Sequence, residues 1–236
     1  MFDVIIVGSG ASGTAAALRF ADRGIKPCLL DIGMEPPQRK NELMNLYAYR
    51  SKKDCFTLMI GDDFEGLNNL NPQNKLLPCK LTTPQMRYVV ERSEEYSPVE
   101  EKNFNLIQSF AQGGLASAWG AGVYRYTDRE LEKFPIKEPD LNPYYQRLNQ
   151  EMGISGENDD LTPYFGHDND LQPPLKLSLN ASLIMKKYQK RRLSLNQKGI
   201  FLGRPRLAVL SQEKNGRSSC RYLNLEFWQP ELSSIY

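Results

Sequence analysis

Three glycines near the N-terminus, Gly8, Gly10 and Gly13, have the spacing GxGxxG, which is typical of a turn that binds a diphosphate. The first glycine permits a tight turn, the second lets a phosphate approach the backbone, and the third allows the following helix to pack closely. The N–H groups at the start of that helix, at its positive dipole end, then face the phosphates. The predicted contact residues are Gly8, Ser9, Gly10, Ala11, Ser12 and Gly13.

An acidic residue, Asp31, follows the first glycine by the roughly 20 residues expected of a group that binds ribose hydroxyls. A carboxylate at this position disfavours a 2′-phosphate, for which an arginine is expected instead. The glycine turn and Asp31 therefore predict that the chain binds the ADP half of FAD or NAD rather than NADP.

A strand, a helix and a second strand must position these residues. Residues 2–7 are apolar and rich in β-branched side chains, as expected of a parallel strand that is buried on both faces. Residues 11–23 predict a helix that is ended by Gly24, and residues 27–31 predict a second strand. This order of elements requires a parallel sheet with a right-handed crossover.

The pattern is weaker beyond this unit. Residues 34–84 are polar and contain several prolines, which predicts long surface connections. Further strands are predicted at residues 104–110 and 200–210, and further helices at residues 142–152, with Pro143 in the first turn, and at residues 180–195. A simple NAD dehydrogenase continues with strands and helices at short intervals, so the long connections favour a fold that covers the longer FAD.

A second glycine-rich stretch, GGLASAWGAGVYRY, occupies Gly113–Tyr126. Together with VIIVGSGASGTAAALRFADRG and LLDIG, it resembles the glucose-methanol-choline oxidoreductases and related flavoproteins with two dinucleotide-binding domains. The resemblance implies that Asp31 and Gly33 end the second strand, and that the second stretch passes along the FAD diphosphate to the flavin ring. It implies further cofactor contacts from Gly113, Gly114, Ser117, Trp119 and Gly120.

The βαβ pattern and the resemblance predict an α/β fold with an FAD/NAD(P)-binding, Rossmann-like parallel sheet. The expected cofactor domain is residues 1–135, and residues 136–236 are expected to begin an incomplete substrate-facing region. The resemblance implies FAD-dependent oxidation of an alcohol or sugar-like hydroxyl by hydride transfer to flavin. An NAD-dependent dehydrogenase or reductase and a non-catalytic FAD-binding subunit are the alternatives.

The family's catalytic base is a histidine near the C-terminus of a longer chain. This sequence has one histidine, His167, in a polar stretch that predicts a solvated loop. We therefore expect a fragment, a truncated reading frame or half of a split protein that a second chain completes, and we assign no catalytic residue. Leu115 and Ala116 stand where the family commonly has small hydroxyl residues, which indicates a divergent branch.

Charge and cysteine usage argue against several other classes of function. The sequence has 30 lysines and arginines and 28 aspartates and glutamates, a balance that gives no support to a nucleic-acid partner. It has no apolar run near the roughly 18 residues that a membrane span needs. Its four cysteines are scattered, so we expect neither a disulfide framework nor a metal site, and we expect a cytoplasmic location.

Two cationic segments have alternative interpretations. Residues 185–192, MKKYQKRR, are interpreted as the solvated face of a helix, with docking of an anionic partner as the alternative. In residues 203–210, GRPRLAVL, a strand edge is favoured over a phosphate site at Arg204 and Arg206.

Overall fold

The computed structural model describes residues 1–36, 60–61, 64, 66–67, 77–84 and 86–219, which form a mixed α/β structure. They divide into two compact units, of which the first ends at Gly120 and the second begins at Ala121. Most of the predicted connection at residues 34–84 lies outside the described residues. No helix within those residues is both long enough and apolar enough to cross a bilayer. The functional division at residues 135 and 136 stays a prediction.

The first unit begins with a βαβ element. Strand β1 is Val4–Val7, helix α1 is Ala11–Ala21, and strand β2 is Pro27–Leu30. The two strands are parallel, with Val4 opposite Pro27 and Val7 opposite Leu30. The chain turns at Gly24, where φ is +72°, a value that glycine adopts without steric cost. The predicted order and positions of these three elements are confirmed.

One face of this small sheet is exposed, so the expectation that its strands are buried on both faces was wrong. Ile5 is 64% exposed and Val7 is 84% exposed, whereas Val4 and Ile6, which point the other way, are partly covered. Helix α1 packs against both strands on the covered face. The β-branched run therefore predicts the strand correctly, but it does not predict whether the second face of the sheet is covered.

The other described parts of the first unit form short elements. Helix α2 is Cys79–Thr82, helix α3 is Ser93–Tyr96, and two 3₁₀ turns are Arg87–Val89 and Gly114–Ala118. A small core is formed by Leu81, Val89 and Ala118. These buried contacts fix the start of the second glycine-rich stretch, because Ala118 lies within it.

The strand predicted at residues 104–110 is not formed. The chain there makes a single parallel bridge, between Met34 and Ala111. Met34 N–H donates to the Phe110 carbonyl at 3.0 Å, and the Met34 carbonyl accepts from Gln112 N–H at 3.0 Å. Leu106 N–H donates to the carboxylate of Glu101 at 3.1 Å and not to a neighbouring strand.

The second unit contains three helices in its described part: α4 Glu138–Met152, α5 Thr162–Phe165 and α6 Leu179–Asn196. The Ser178 hydroxyl caps α6 by accepting from Ala181 N–H at 3.3 Å, and the predicted helix at residues 180–195 is confirmed. Helix α4 begins one turn earlier than predicted, so Pro143 lies inside it instead of in its first turn. The reason is local, since the Asp140 carboxylate accepts from Lys137 N–H at 2.9 Å and so fixes an earlier start.

The strand pair predicted at residues 200–210 is also not formed. Leu207 makes single antiparallel bridges with Gly122 and with Ser155. The segment therefore runs between two other extended segments of the second unit without a regular ladder to either. Its apolar residues Ala208 and Val209 are buried, which explains why the pattern reads as a strand although only isolated pairs form.

Candidate cofactor-binding site

The glycine turn joins β1 to α1, and two of its glycines are required by the conformation of the protein itself. Gly8 has φ +96°, and its N–H donates to the Leu30 carbonyl at 2.7 Å, so the turn is closed onto β2. A Cβ on Gly13 would lie 1.9 Å from the Gly8 carbonyl oxygen. Helix α1 can therefore begin this close to the turn only if residue 13 is glycine.

Gly10 is different, because nothing in the described residues requires glycine at this position. Its φ is −63°, which any residue adopts. The nearest atom to an added Cβ is the Gly113 carbonyl oxygen, at an ordinary contact distance of 3.8 Å. Glycine is an accepted N-cap residue, and close approach of a ligand to the backbone is the other physical reason for glycine here, the role that the sequence assigned to Gly10.

The start of α1 offers backbone donors. Gly10 is the N-cap and has no side chain to cap the helix, and the first turn contains no acidic residue. The first N–H groups of a helix have no partner within it, and the helix dipole makes this end positive. Ala11, Ser12 and Gly13 stand in this first turn, so the structure places them where an anion can accept hydrogen bonds from the backbone.

Asp31 directly follows β2 and holds the glycine turn. Its carboxylate accepts from Ser9 N–H at 2.5 Å and from Gly33 N–H at 2.6 Å. Partial desolvation acts to raise the pKa of Asp31, but the hydrogen bonds from Ser9 and Gly33 outweigh it, so the pKa lies below its ordinary value. Asp31 is exposed, and a carboxylate has about four acceptor positions, which leaves capacity for ribose hydroxyls.

The second glycine-rich stretch lies against the glycine turn. Gly113 N–H donates to the Ser9 hydroxyl at 2.9 Å, although the two residues are 104 positions apart. A Cβ on Gly114 would lie 3.5 Å from Gly10 Cα. The structure therefore brings together the two stretches that the sequence predicted to contact one cofactor, and it adds a direct hydrogen bond between them.

The other predicted cofactor contacts, Ser117, Trp119 and Gly120, make no hydrogen bond with the glycine turn among the described residues. The Ser117 hydroxyl donates to the Gln112 carbonyl at 2.8 Å and so stabilises its own 3₁₀ turn. Trp119 is half-buried and Gly120 is exposed. Among the described residues, neither Trp119 nor Gly120 makes a hydrogen bond with the glycine turn. Their roles as flavin contacts stay predictions.

Sequence reasoning missed a buried charge cluster in the second unit. Arg206 does not lie on a strand edge, as had been favoured, but is buried, and its Nη1 contacts the buried Asp168 carboxylate at 2.6 Å. Arg125 contacts the other oxygen of the same carboxylate. The local signal was an arginine directly before the apolar run LAVL, because an arginine that is buried together with such a run needs a buried partner.

An ion pair between Arg192 and Asp160 connects α6 to the loop before α5. The Asp160 carboxylate accepts from Arg192 Nε at 2.8 Å and from the hydroxyl of the buried Tyr188. The hydrogen bond from Arg192 holds the pKa of Asp160 well below its ordinary value. One cation of the MKKYQKRR segment is therefore structural, while Leu183 and Ile184 on the same helix are exposed.

Among the residues that the structure describes, we assign no catalytic base to the site. His167 is exposed and follows α5 in the second unit, in agreement with the solvated loop that was predicted. Within the described part of the chain, no group of histidine, cysteine, aspartate or glutamate side chains is arranged to hold a metal ion.

Comparison with protein-family models and with curated proteins finds no match to this chain. What the glycine turn binds is therefore argued from its own geometry. The resemblance to the glucose-methanol-choline oxidoreductases stays a prediction from the quoted residues.

Proposed function

We propose that the first unit binds the ADP half of FAD at the glycine turn, and that the chain is an FAD-dependent oxidoreductase, or the N-terminal part of one. The observation that carries the proposal is Gly10, whose φ and open surroundings give the protein itself no need for glycine. A diphosphate that contacts the backbone at this position explains the residue, because a Cβ would take its place.

The residues of the turn have separate roles in this proposal. The N–H groups in the first turn of α1 donate to the diphosphate oxygens, at the positive end of the helix. Asp31 accepts from the ribose hydroxyls with the acceptor positions that Ser9 and Gly33 leave open. Gly33 acts through Asp31, since its N–H orients that carboxylate.

The contact between the two glycine-rich stretches supports FAD over NAD. The bond from Gly113 N–H to Ser9 draws a distant segment to the edge of the turn, as expected where separate segments cover a long cofactor. Gly113, Gly114, Ser117, Trp119 and Gly120 are proposed to continue the contacts toward the flavin.

The exposed face of the two-stranded sheet bears on the fold that we propose for the cofactor domain. Ile5 and Val7 form an exposed apolar face on a two-stranded sheet, in the part of the chain that the structure describes. Apolar side chains on both faces are typical of parallel sheets that are covered by helices on both sides. This supports a larger Rossmann-like sheet, of which β1 and β2 are one part.

When bound, FAD supplies the acceptor for a hydride from the carbon of an alcohol or sugar-like hydroxyl. The residues of this chain bind and orient the cofactor, and the hydroxyl proton requires a base that we do not assign. The proposal keeps the predicted substrate class, an alcohol or sugar-like hydroxyl, and the predicted cytoplasmic location. It also keeps a second chain that completes the enzyme, and it names no electron acceptor.

The binding proposal is tested by titrating the full chain with FAD, FMN and NAD and measuring bound ligand by equilibrium dialysis. We expect FAD to bind, and Gly10→Ala to weaken it by at least about tenfold, because the added Cβ would push the diphosphate away from the backbone donors, and each lost hydrogen bond to a charged group is worth roughly 1.5–3 kcal/mol. The control is Gly122→Ala in the second unit, an exposed glycine whose added Cβ meets its nearest neighbour, the ring of Tyr124, at 3.4 Å. It should leave FAD affinity unchanged.

Three results separate the alternatives. Binding of NAD without FAD would replace the flavoprotein hypothesis with an NAD-dependent dehydrogenase or reductase. Bound FAD that no alcohol reduces would favour a non-catalytic FAD-binding subunit. Equal FAD affinity in Gly10→Ala and the unmodified chain would mean that the diphosphate does not lie at the glycine turn.

A further inference from the structure

The second unit contains a small cavity of about 90 Å³. Most of its wall is apolar and is formed by Val123, Leu148, Met152 and Ile154, together with two tyrosines. Besides the two tyrosine hydroxyls, the wall carries donors on Arg125, Asn149 and Arg206, each of them more than nine-tenths buried, and one buried carboxylate, Asp168. A cavity of this size admits only a molecule of a few heavy atoms, and the buried donors in its mostly apolar wall would fix how that molecule is oriented.

The terminal nitrogens of the two arginines are already used. Arg125 donates through Nη1 to Asn142 Oδ1 at 2.6 Å and through Nη2 to Asp168. Arg206 donates through Nη1 to Asp168 at 2.6 Å and through Nη2 to the Gly166 carbonyl at 2.6 Å. These contacts fix both guanidinium groups, so their remaining N–H groups have fixed directions as well.

Three buried donors of the cavity wall have no acceptor in the described residues: Arg125 Nε, Arg206 Nε and Asn149 Nδ2. Buried polar groups in native proteins almost always have a partner, so an unpaired group indicates an ordered water or a bound molecule. Here three such groups belong to residues that line one cavity.

The balance of charge favours an anion as that partner. Two arginines are buried beside one buried carboxylate, Asp168. Two further carboxylates act on the arginines, but neither is fully buried: Glu138 is 31% exposed and lies 3.6 Å from Arg125, and Asp159 is half-buried and its charge acts to raise the pKa of Arg206. Desolvation by burial lowers the pKa of both arginines, which means that their charged forms lack full compensation. A bound negative charge would supply it.

We propose that this cavity binds the carboxylate of a small organic acid, which accepts hydrogen bonds from Arg125 Nε, Arg206 Nε and Asn149 Nδ2. The apolar wall favours a carboxylate over phosphate, because a carboxylate has an apolar end whereas phosphate presents oxygens on all sides. The site is independent of the proposed cofactor site, since all of its residues belong to the second unit.

The first test uses the unmodified chain and follows the arginine Nε–H signals by NMR. The chain is titrated with sodium acetate, and separately with acetamide, which has nearly the same shape but no charge. We expect acetate to shift two arginine signals with a saturable curve, and acetamide to leave them in place. Equal shifts with both compounds, or no saturable shift with acetate, would overturn the proposal and assign the cavity to water.

The second test removes one donor. Asn149→Leu keeps approximately the same volume, and it should weaken acetate by at least about tenfold, as expected for one hydrogen bond to a charged group. The matched control is Arg147→Lys on the same helix, where the side chain is half-exposed and paired with Glu151 at 2.8 Å. Acetate affinity should be unchanged in the control, and an unchanged affinity in Asn149→Leu would contradict the assigned donor set. If Asn149→Leu does not fold, the comparison of acetate with acetamide in the unmodified chain still shows whether the cavity binds a carboxylate.

Discussion

The two units present hydrogen-bond donors in opposite ways. At the glycine turn the donors are backbone N–H groups, available because Gly10 has no side chain and α1 has no side-chain cap. In the cavity of the second unit they are side-chain groups, held in place by the buried Asp168. The first arrangement depends on backbone conformation and the second on buried ion pairs that hold the side chains, so the two regions should respond to different substitutions.

The largest effect is expected where a buried charge loses its partner. Asp168→Ala leaves Arg125 and Arg206 without their shared carboxylate, and we expect the free energy of unfolding to fall by about 3–5 kcal/mol. Urea unfolding followed by circular dichroism measures this change. The control is Asp170→Ala, which removes a hydrogen bond from Gln150 and should cost under about 1 kcal/mol. Equal losses in both variants would show that the buried charges are not balanced by Asp168.

A smaller effect is expected at the glycine turn, and it should separate two of its glycines. Gly13→Ala forces a Cβ against the Gly8 carbonyl oxygen, so we expect a loss of about 1–3 kcal/mol in the free energy of unfolding. Gly10→Ala has the room it needs and should cost less than about 1 kcal/mol, as a change of N-cap residue. The same unfolding measurement checks both variants. If Gly10→Ala were as destabilising as Gly13→Ala, glycine at position 10 would serve folding and not a ligand.

The link between the two glycine-rich stretches should be worth about 1 kcal/mol, the typical net contribution of one hydrogen bond. Ser9→Ala removes the acceptor of Gly113 N–H, and we expect that amide to exchange with solvent faster in hydrogen-exchange NMR. Ser12→Ala changes an exposed hydroxyl one turn away and should leave the exchange rate of Gly113 unchanged. An unchanged rate in Ser9→Ala would mean that the packing of Gly114 alone holds the stretch.

The smallest effect is a pH dependence. Because the pKa of Asp31 is lowered in the folded chain, its ionised form stabilises the turn above the ordinary pKa, and this contribution is lost as the pH falls through the lowered value. Asp31 is exposed, so we expect Asp31→Asn to cost under about 1 kcal/mol at neutral pH. The difference in free energy of unfolding between Asp31→Asn and the unmodified chain should shrink as the pH falls below the ordinary pKa of an aspartate. A difference that is constant with pH would contradict an ionic role.

The βαβ element could be predicted because its signals are local. A β-branched run, glycines at three fixed positions and a glycine stop are sufficient to place β1, α1 and β2 to within two residues. Residues 104–110 and 200–210 carry similar apolar patterns, yet they form only isolated bridges. A regular strand also requires a neighbouring strand along its whole length. The sequence of one segment does not show whether a distant segment will lie beside it.

The buried cluster could not be predicted for a similar reason. Arg125 lies 43 positions from Asp168, and Arg206 lies 38 positions from it. Nothing in the spacing of these residues connects them, since the fold alone places them together. At the glycine turn, by contrast, the sequence placed Asp31 and the second glycine-rich stretch beside one cofactor, and it missed that Asp31 also holds the turn through Ser9 and Gly33 and that Gly113 donates to Ser9.

The most direct measurement for the central proposal is the visible absorption spectrum of the full chain as purified, combined with chromatography of the small molecule that heating releases. We predict the two absorption bands of an oxidised flavin and the release of FAD. A colourless chain that binds added NAD but not added FAD would contradict the assignment of the glycine turn to FAD.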